Sequence, residues 1–212
     1  MRERFRAWAS ALVLVLLLSA ATTASAAASV WEAESYPATI SGSQIEGKHE
    51  FKTAANTLYC NTFGWQGTLG SGASELALTG SPGECSTAGI VVMTVAMNGC
   101  TFNFGSGSEL EATLFGGSAK IVCPAGKEIV WTGSTGNCTA RIPPQTFAGT
   151  VTLKNTATSP KSVKLSTAAT GIHYTLNPTS GCLNKPAPGT YENGTYSGNT
   201  TLTAESSGLT IK

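Results

Sequence analysis

Residues 98–144 read NGCTFNFGSGSELEATLFGGSAKIVCPAGKEIVWTGSTGNCTARIPP, and this stretch decides the fold. It holds Cys100, Cys123 and Cys138, with runs of β-branched and aromatic residues between glycine-marked turns. Such residues suit a pleated, half-buried surface. Five short strands are expected, over 100–104, 110–115, 120–123, 127–132 and 138–142. Gly116-Gly117 reads as a hairpin turn, because glycine tolerates positive φ. Pro143-Pro144 supplies no N–H donor to a ladder, so within what is expected to be one continuous body it is the place where a split into two β subdomains would fall.

The same style extends outward. Strands are expected over 38–43, 48–53, 57–63 and 75–79, and a Gly-rich loop, GWQGTLGSGAS, over 64–74. The run 90–97 (IVVMTVAM) is short, apolar and bounded by glycines, which suits a central buried strand. Beyond the prolines, strands are expected over 150–155, 162–166, 171–176, 200–204 and 209–211, with TATSPK as a turn. Asn193-Gly194 between strand-like residues is a strong hairpin signal. Many short strands at intervals of about 8–12 residues predict an all-β protein. The expected architecture is a disulfide-stapled antiparallel β-sandwich with Greek-key, immunoglobulin-like connections.

The first residues have a different character. Arg2, Arg4 and Arg6 precede an apolar run from Ala7 to Ala21, and Ala24-Ser25-Ala26 fits a small-residue cleavage site. This is the pattern of a secretory signal peptide over 1–26, leaving 27–212 as the secreted domain. The apolar core is shorter than the roughly 20 residues a spanning helix needs, so no membrane attachment is expected after cleavage. Without the leader, nine lysines and Arg141 face eleven glutamates, a formal charge of −1. Nucleic-acid binding, which calls for a basic stripe, is not expected.

There is no aspartate anywhere. Calcium loops of the D-x-D-x-D-G kind and Ser-His-Asp triads are therefore excluded. Cys60, Cys85, Cys100, Cys123, Cys138 and Cys182 all lie in the secreted part. In an exported chain they predict three disulfides rather than a metal site: no C-x-x-C occurs and no histidine lies near a cysteine in sequence. No cofactor is expected. The strands over 57–63 and 75–79, read as antiparallel neighbours, bring Cys85 back towards Cys60. Cys123 and Cys138 flank one strand and would stand roughly 20 Å apart at strand rise, too far for a bridge. The remaining pairings stay open.

The residue order YPATISG, NGC-x-F-x-F, CPAGK-x-I, C-x-x-x-IPPQ and TGI-x-YT resembles that of actinobacterial secreted, cysteine-containing, β-rich proteins. The resemblance covers about Tyr36 to the end. It implies export and a β fold, and it carries no catalytic or binding residue.

Candidate chemistry is sparse. His49 and His173 are the only histidines; neither has a motif partner, and both are expected on the surface. Gly105-Ser106-Gly107 matches only half of the Gly-x-Ser-x-Gly nucleophile motif. Glu109 with Glu111, and Glu32 with Glu34, are two apart and share a strand face, as a paired-carboxylate hydrolase would need. Solvated strand edges produce the same spacing. Phe63 and Trp65, at the mouth of the Gly-rich loop, are the candidate ligand-binding residues, since exposed loop aromatics serve recognition. Phe102, Phe104, Trp131 and Tyr174 lie inside strands and are expected in the core. The function expected is a non-enzymatic secreted module that binds an extracellular ligand or an envelope component. The alternative is a small secreted hydrolase using glutamates.

Overall fold

The computed structural model describes residues 29–205 and 208–212. The expected signal peptide over 1–26 lies outside the described residues. Fifteen strands and no helix occur among them: β1 (Trp31–Ala33), β2 (Ala38–Gln44), β3 (His49–Lys52), β4 (Thr57–Leu69), β5 (Glu75–Thr87), β6 (Val91–Ala96), β7 (Thr101–Glu111), β8 (Leu114–Val122), β9 (Ile129–Gly133), β10 (Thr139–Ile142), β11 (Gln145–Thr146), β12 (Ala148–Asn155), β13 (Val163–Leu176), β14 (Gly189–Ala204) and β15 (Leu209–Ile211).

The fold is a closed β-barrel, not a sandwich. Strands β2, β4, β5, β7, β8, β12, β13 and β14 pair in a continuous antiparallel ring, because β4 and β5 join along their length from Leu58↔Thr87 to Gly67↔Leu78. The four longest members, β4, β5, β13 and β14, extend beyond this ring. At their other halves they pair instead with β3, β6, β9 and β10, which closes a second ring of eight. A sandwich leaves two open sheets, whereas pairing all the way round removes the edges. Alternation of apolar and polar residues is common to both, since each buries one face of every strand. It therefore does not separate them.

Between the two levels the inward-facing parity changes. In β4, Leu58 and Cys60 are buried, Asn61 and Thr62 are both exposed, and burial resumes on the other parity at Phe63, Trp65 and Leu69. In β13, Val163, Leu165, Thr167 and Ala169 face in, Thr170 and Gly171 both face out, and Ile172, Tyr174 and Leu176 face in. Gly171 takes a φ of 67° at a bulge against β14, a conformation open to glycine at little cost. The bulges allow one strand to serve two rings without exposing its apolar face.

Several local expectations are corrected. The Gly-rich segment 64–74 is mostly strand, with the chain reversing only near Gly72. Asn193-Gly194 runs through the interior of β14, and Gly116-Gly117 lies within β8. The β7–β8 turn falls instead at Ala112-Thr113, where Thr113 has a φ of 72°. In the apolar run 90–97, Met93 is buried but Val92 is exposed, because alternate side chains of β6 face outward, and Ile90, in the turn before β6, is exposed as well. Pro143-Pro144 joins β10 to β11, and strands from both sides of it enter each ring.

Three disulfides staple the rings: Cys60–Cys85, Cys100–Cys123 and Cys138–Cys182. Cys60 and Cys85 are direct cross-strand partners, as strand direction implies. Cys100 and Cys123 occupy the rung beyond Thr101↔Val122. At one end of the barrel β1 and β15 form a small cap. There Trp31 is fully buried and its indole donates to the Phe104 carbonyl at 3.2 Å. At the other end Asn56 accepts from the Leu183 amide at 2.8 Å beside the Cys138–Cys182 bridge. Outward positions of β13 include the polar residues Lys164, Ser166 and Thr170.

Candidate functional site

The barrel interior is not completely filled. Where the long strands change partners, a cavity of about 60 Å³ remains, partly open to the surface. Its walls are apolar, with Phe51 (β3), Phe63 (β4), Phe102 (β7), Ile121 (β8), Trp131 (β9) and Ile142 (β10) among them. Strands of both rings contribute, so the cavity exists because the rings meet there. On this measure a water needs roughly 10–15 Å³. The space therefore accommodates several waters or one small organic group. Closed apolar cavities take up apolar guests, and the apolar lining here offers a water few partners.

A hydrogen-bonded polar pair stands at the cavity edge, and Glu50, ion-paired with Lys52, lies at the rim. His49 is 3% exposed, and its Nδ1 shares a 2.6 Å hydrogen bond with the Tyr196 hydroxyl. Its Nε2 lies 3.4 Å from Thr200 Oγ1, which also accepts the Trp65 indole N–H at 3.0 Å. Phe63 stacks on the imidazole at a centroid distance of 4.3 Å. Burial pulls the His49 pKa down to about 4, partly opposed by a hydrogen bond with the Asn199 backbone. Burial pushes the Tyr196 hydroxyl up. Both side chains are neutral at pH 7, and each ring nitrogen of His49 has a neighbour. The pair acts as a fixed, uncharged hydrogen-bonded unit and not as a charged acid or base.

The sequence shows why His49 fits there. In β3 the pattern His49-Glu50-Phe51-Lys52 alternates inward and outward, so His49 follows Phe51 to the interior. Gly198 in β14 completes the niche: a Cβ there would lie 2.5 Å from His49 Nδ1. The surface expectation for His49 is thus corrected. His173 is exposed, its Nδ1 3.8 Å from a Glu192 carboxylate oxygen.

The two candidate binding residues have separate positions. Phe63 lines the cavity. Trp65, 2% exposed, sits behind the wall, in edge contact with Phe102 and Phe104 at 5.3 and 5.6 Å. Both belong to strand β4 and not to a loop. Phe102, Phe104, Trp131 and Tyr174 are core residues as expected. His49 had no sequence motif, its only signal being strand parity, whereas Tyr196 stood out in the sequence only as an aromatic flanking Asn193-Gly194. Glu109 and Glu111 stand exposed at the tip of the β7–β8 hairpin. Glu32 pairs with Lys212, and Glu34 borders the same shallow groove beside Lys161. Among the described residues no cluster of three or more His, Cys or Glu side chains could hold a metal ion.

Comparisons with family models, with curated proteins and with solved structures gave no match to this chain.

Proposed function

We propose that this is a secreted, non-enzymatic binding protein that holds a small apolar molecule, or the apolar end of a larger one, inside its barrel. The apolar cavity at the junction of the two rings carries this reading. Eight-stranded barrels have an interior that side chains can just fill or that can hold one small ligand, and the space left here makes a concave, largely apolar, pre-formed site of the kind in which small ligands bind. Three disulfides are typical of extracellular proteins and support a place outside the cell. The polar, nearly neutral exterior suits a soluble carrier. The ligand source is an extracellular compound or an envelope component.

The test is titration of the oxidised protein with benzene, followed by amide chemical shifts. Saturable shifts confined to residues around the cavity are expected, and Ile121→Phe, which fills the space, should abolish them while the fold is kept. Absence of any saturable shift up to the solubility of benzene would remove the proposal.

A further inference from the structure

Four long strands change partners between the rings, and three of those junctions are bridged by hydrogen bonds. Along β4 the partner changes from β2 to β3 across residues 61–63, where Gln44 Nε2 donates to the Asn61 carbonyl at 3.1 Å. Along β14 the change from β3 to β2 spans residues 198–199, and the Ile45 amide donates to the Asn199 carbonyl at 3.0 Å. Along β13 it spans residues 171–174, where the Gln145 side chain bonds both the carbonyl and the amide of His173, at 2.9 and 2.8 Å. The β5 junction is different. Pairing with β7 ends at Leu78↔Phe102, and pairing with β6 begins only at Ser86↔Val92. Residues 79–85 have no strand on that side, and among the described residues no hydrogen bond crosses to β6 or to the turn before β7. This is the longest of the four gaps. Pro82, which has no N–H to leave unpaired, suits such an edge. Pro82 on one bank and Val95 and Met97 on the other line the cavity, and all three are half-buried. At the end of the gap Val92 and Ile90 are exposed.

We infer that the ligand is an elongated molecule whose apolar end fills the cavity and whose remainder leaves the barrel between β5 and β6, past Pro82, Val95 and Met97. This rests on the binding reading above and narrows it to a ligand class, one with an alkyl or aromatic stem. The cavity takes only one small organic group, so a larger ligand keeps most of its length outside. Both banks of the gap are apolar, and an apolar stem crossing them leaves no polar group without a partner. Exposed Val92 and Ile90 extend the apolar surface where the stem emerges. The other three junctions would have to break their bridging hydrogen bonds to admit the same stem.

The experiment adds 4-benzyloxy-TEMPO, a phenyl group joined through an ether to a nitroxide radical, to the native oxidised protein. The nitroxide broadens the amide signals nearest to it. With the ring in the cavity it should stand outside the gap, and the signals of Ser81, Gly83, Glu84 and residues 95–98 should be lost first. Excess benzene should restore them, and TEMPOL, the same nitroxide without the ring, should leave them unchanged. Loss strongest at Glu50 and Ser197, or at Gln145 and His173, would put the exit at another junction and overturn the assignment while the binding reading stands. Binding of benzene with no response to the probe would overturn it too, because the cavity would then take compact guests only. Broadening that benzene does not reverse, or that TEMPOL reproduces, would be surface contact and would have the same consequence. Failure of both benzene and the probe to bind would remove the binding reading and this inference together. All of these signals are read on the native chain, so the test does not depend on a variant folding.

Discussion

His49 Nδ1 lies 2.6 Å from the Tyr196 hydroxyl, and both rings border the cavity where the two strand rings meet. The contact joins β3 of one ring to β14, which belongs to both, and it is kept uncharged by its surroundings. Burial holds His49 near pKa 4, below its value of about 6.5 in an unfolded chain. The unfolded state therefore binds the proton first as pH falls. Stability from this group is fully present above pH 6.5 and is lost as pH drops towards 4, by about 3 kcal/mol. Urea unfolding at a series of pH values should show that slope in the native protein. In His49→Gln the slope over this window should be largely gone, while the contribution of exposed carboxylates such as Glu75 stays the same in both.

Gly198 is the backbone on which the His49 ring rests. A methyl group there would lie 2.5 Å from Nδ1 and 2.6 Å from Cε1, inside van der Waals contact. Phe63 stacks on the ring and limits its room to move. Gly198→Ala is expected to cost about 1–3 kcal/mol as an overpacked site, with the His49–Tyr196 bond broken. Thermal unfolding checks the first effect, and a rise of the His49 pKa towards its ordinary value, followed by NMR, checks the second.

The disulfides are expected to contribute unequally. Cys138–Cys182 closes a sequence separation of 44 residues, against 25 for Cys60–Cys85 and 23 for Cys100–Cys123. In the chain-entropy account these correspond to about 4 kcal/mol for the longest and about 3.5 kcal/mol for the others. Asn56, whose amide contacts Cys138 Sγ at 3.4 Å, also loses a neighbour when that bridge is removed. Denaturant midpoints of the paired Cys→Ala variants should therefore fall furthest for Cys138/Cys182.

Strand content was legible in the sequence because period-2 alternation is a local signal. Strand length was not, and closure depended on it. The alternation in β4 fails at Asn61 and Thr62, and in β13 at Thr170 and Gly171, where bulges switch the inward face. In β13 that failure looks like the end of one strand and the start of another, over 162–166 and 171–176, while in β4 the glycines from Gly64 onward look like a loop and end the expected strand at Phe63. Asn193-Gly194 gave the opposite illusion. It has hairpin chemistry, yet Gly194 is needed inside β14, where a Cβ would meet the Ile172 carbonyl at 2.8 Å. The Cys60–Cys85 pairing was readable because it depends only on neighbouring strands. The cavity was not readable: it lies between residues as distant in sequence as Phe51 and Trp131, and only closure brings them together.

The most direct test of the central claim is xenon binding. Crystals of the oxidised protein held under xenon pressure should show a xenon atom within van der Waals distance of Phe63, Phe102 and Trp131, since a dry apolar cavity of this kind takes up such a guest. A cavity filled by ordered water, or one collapsed with those three side chains in mutual contact, would contradict the account.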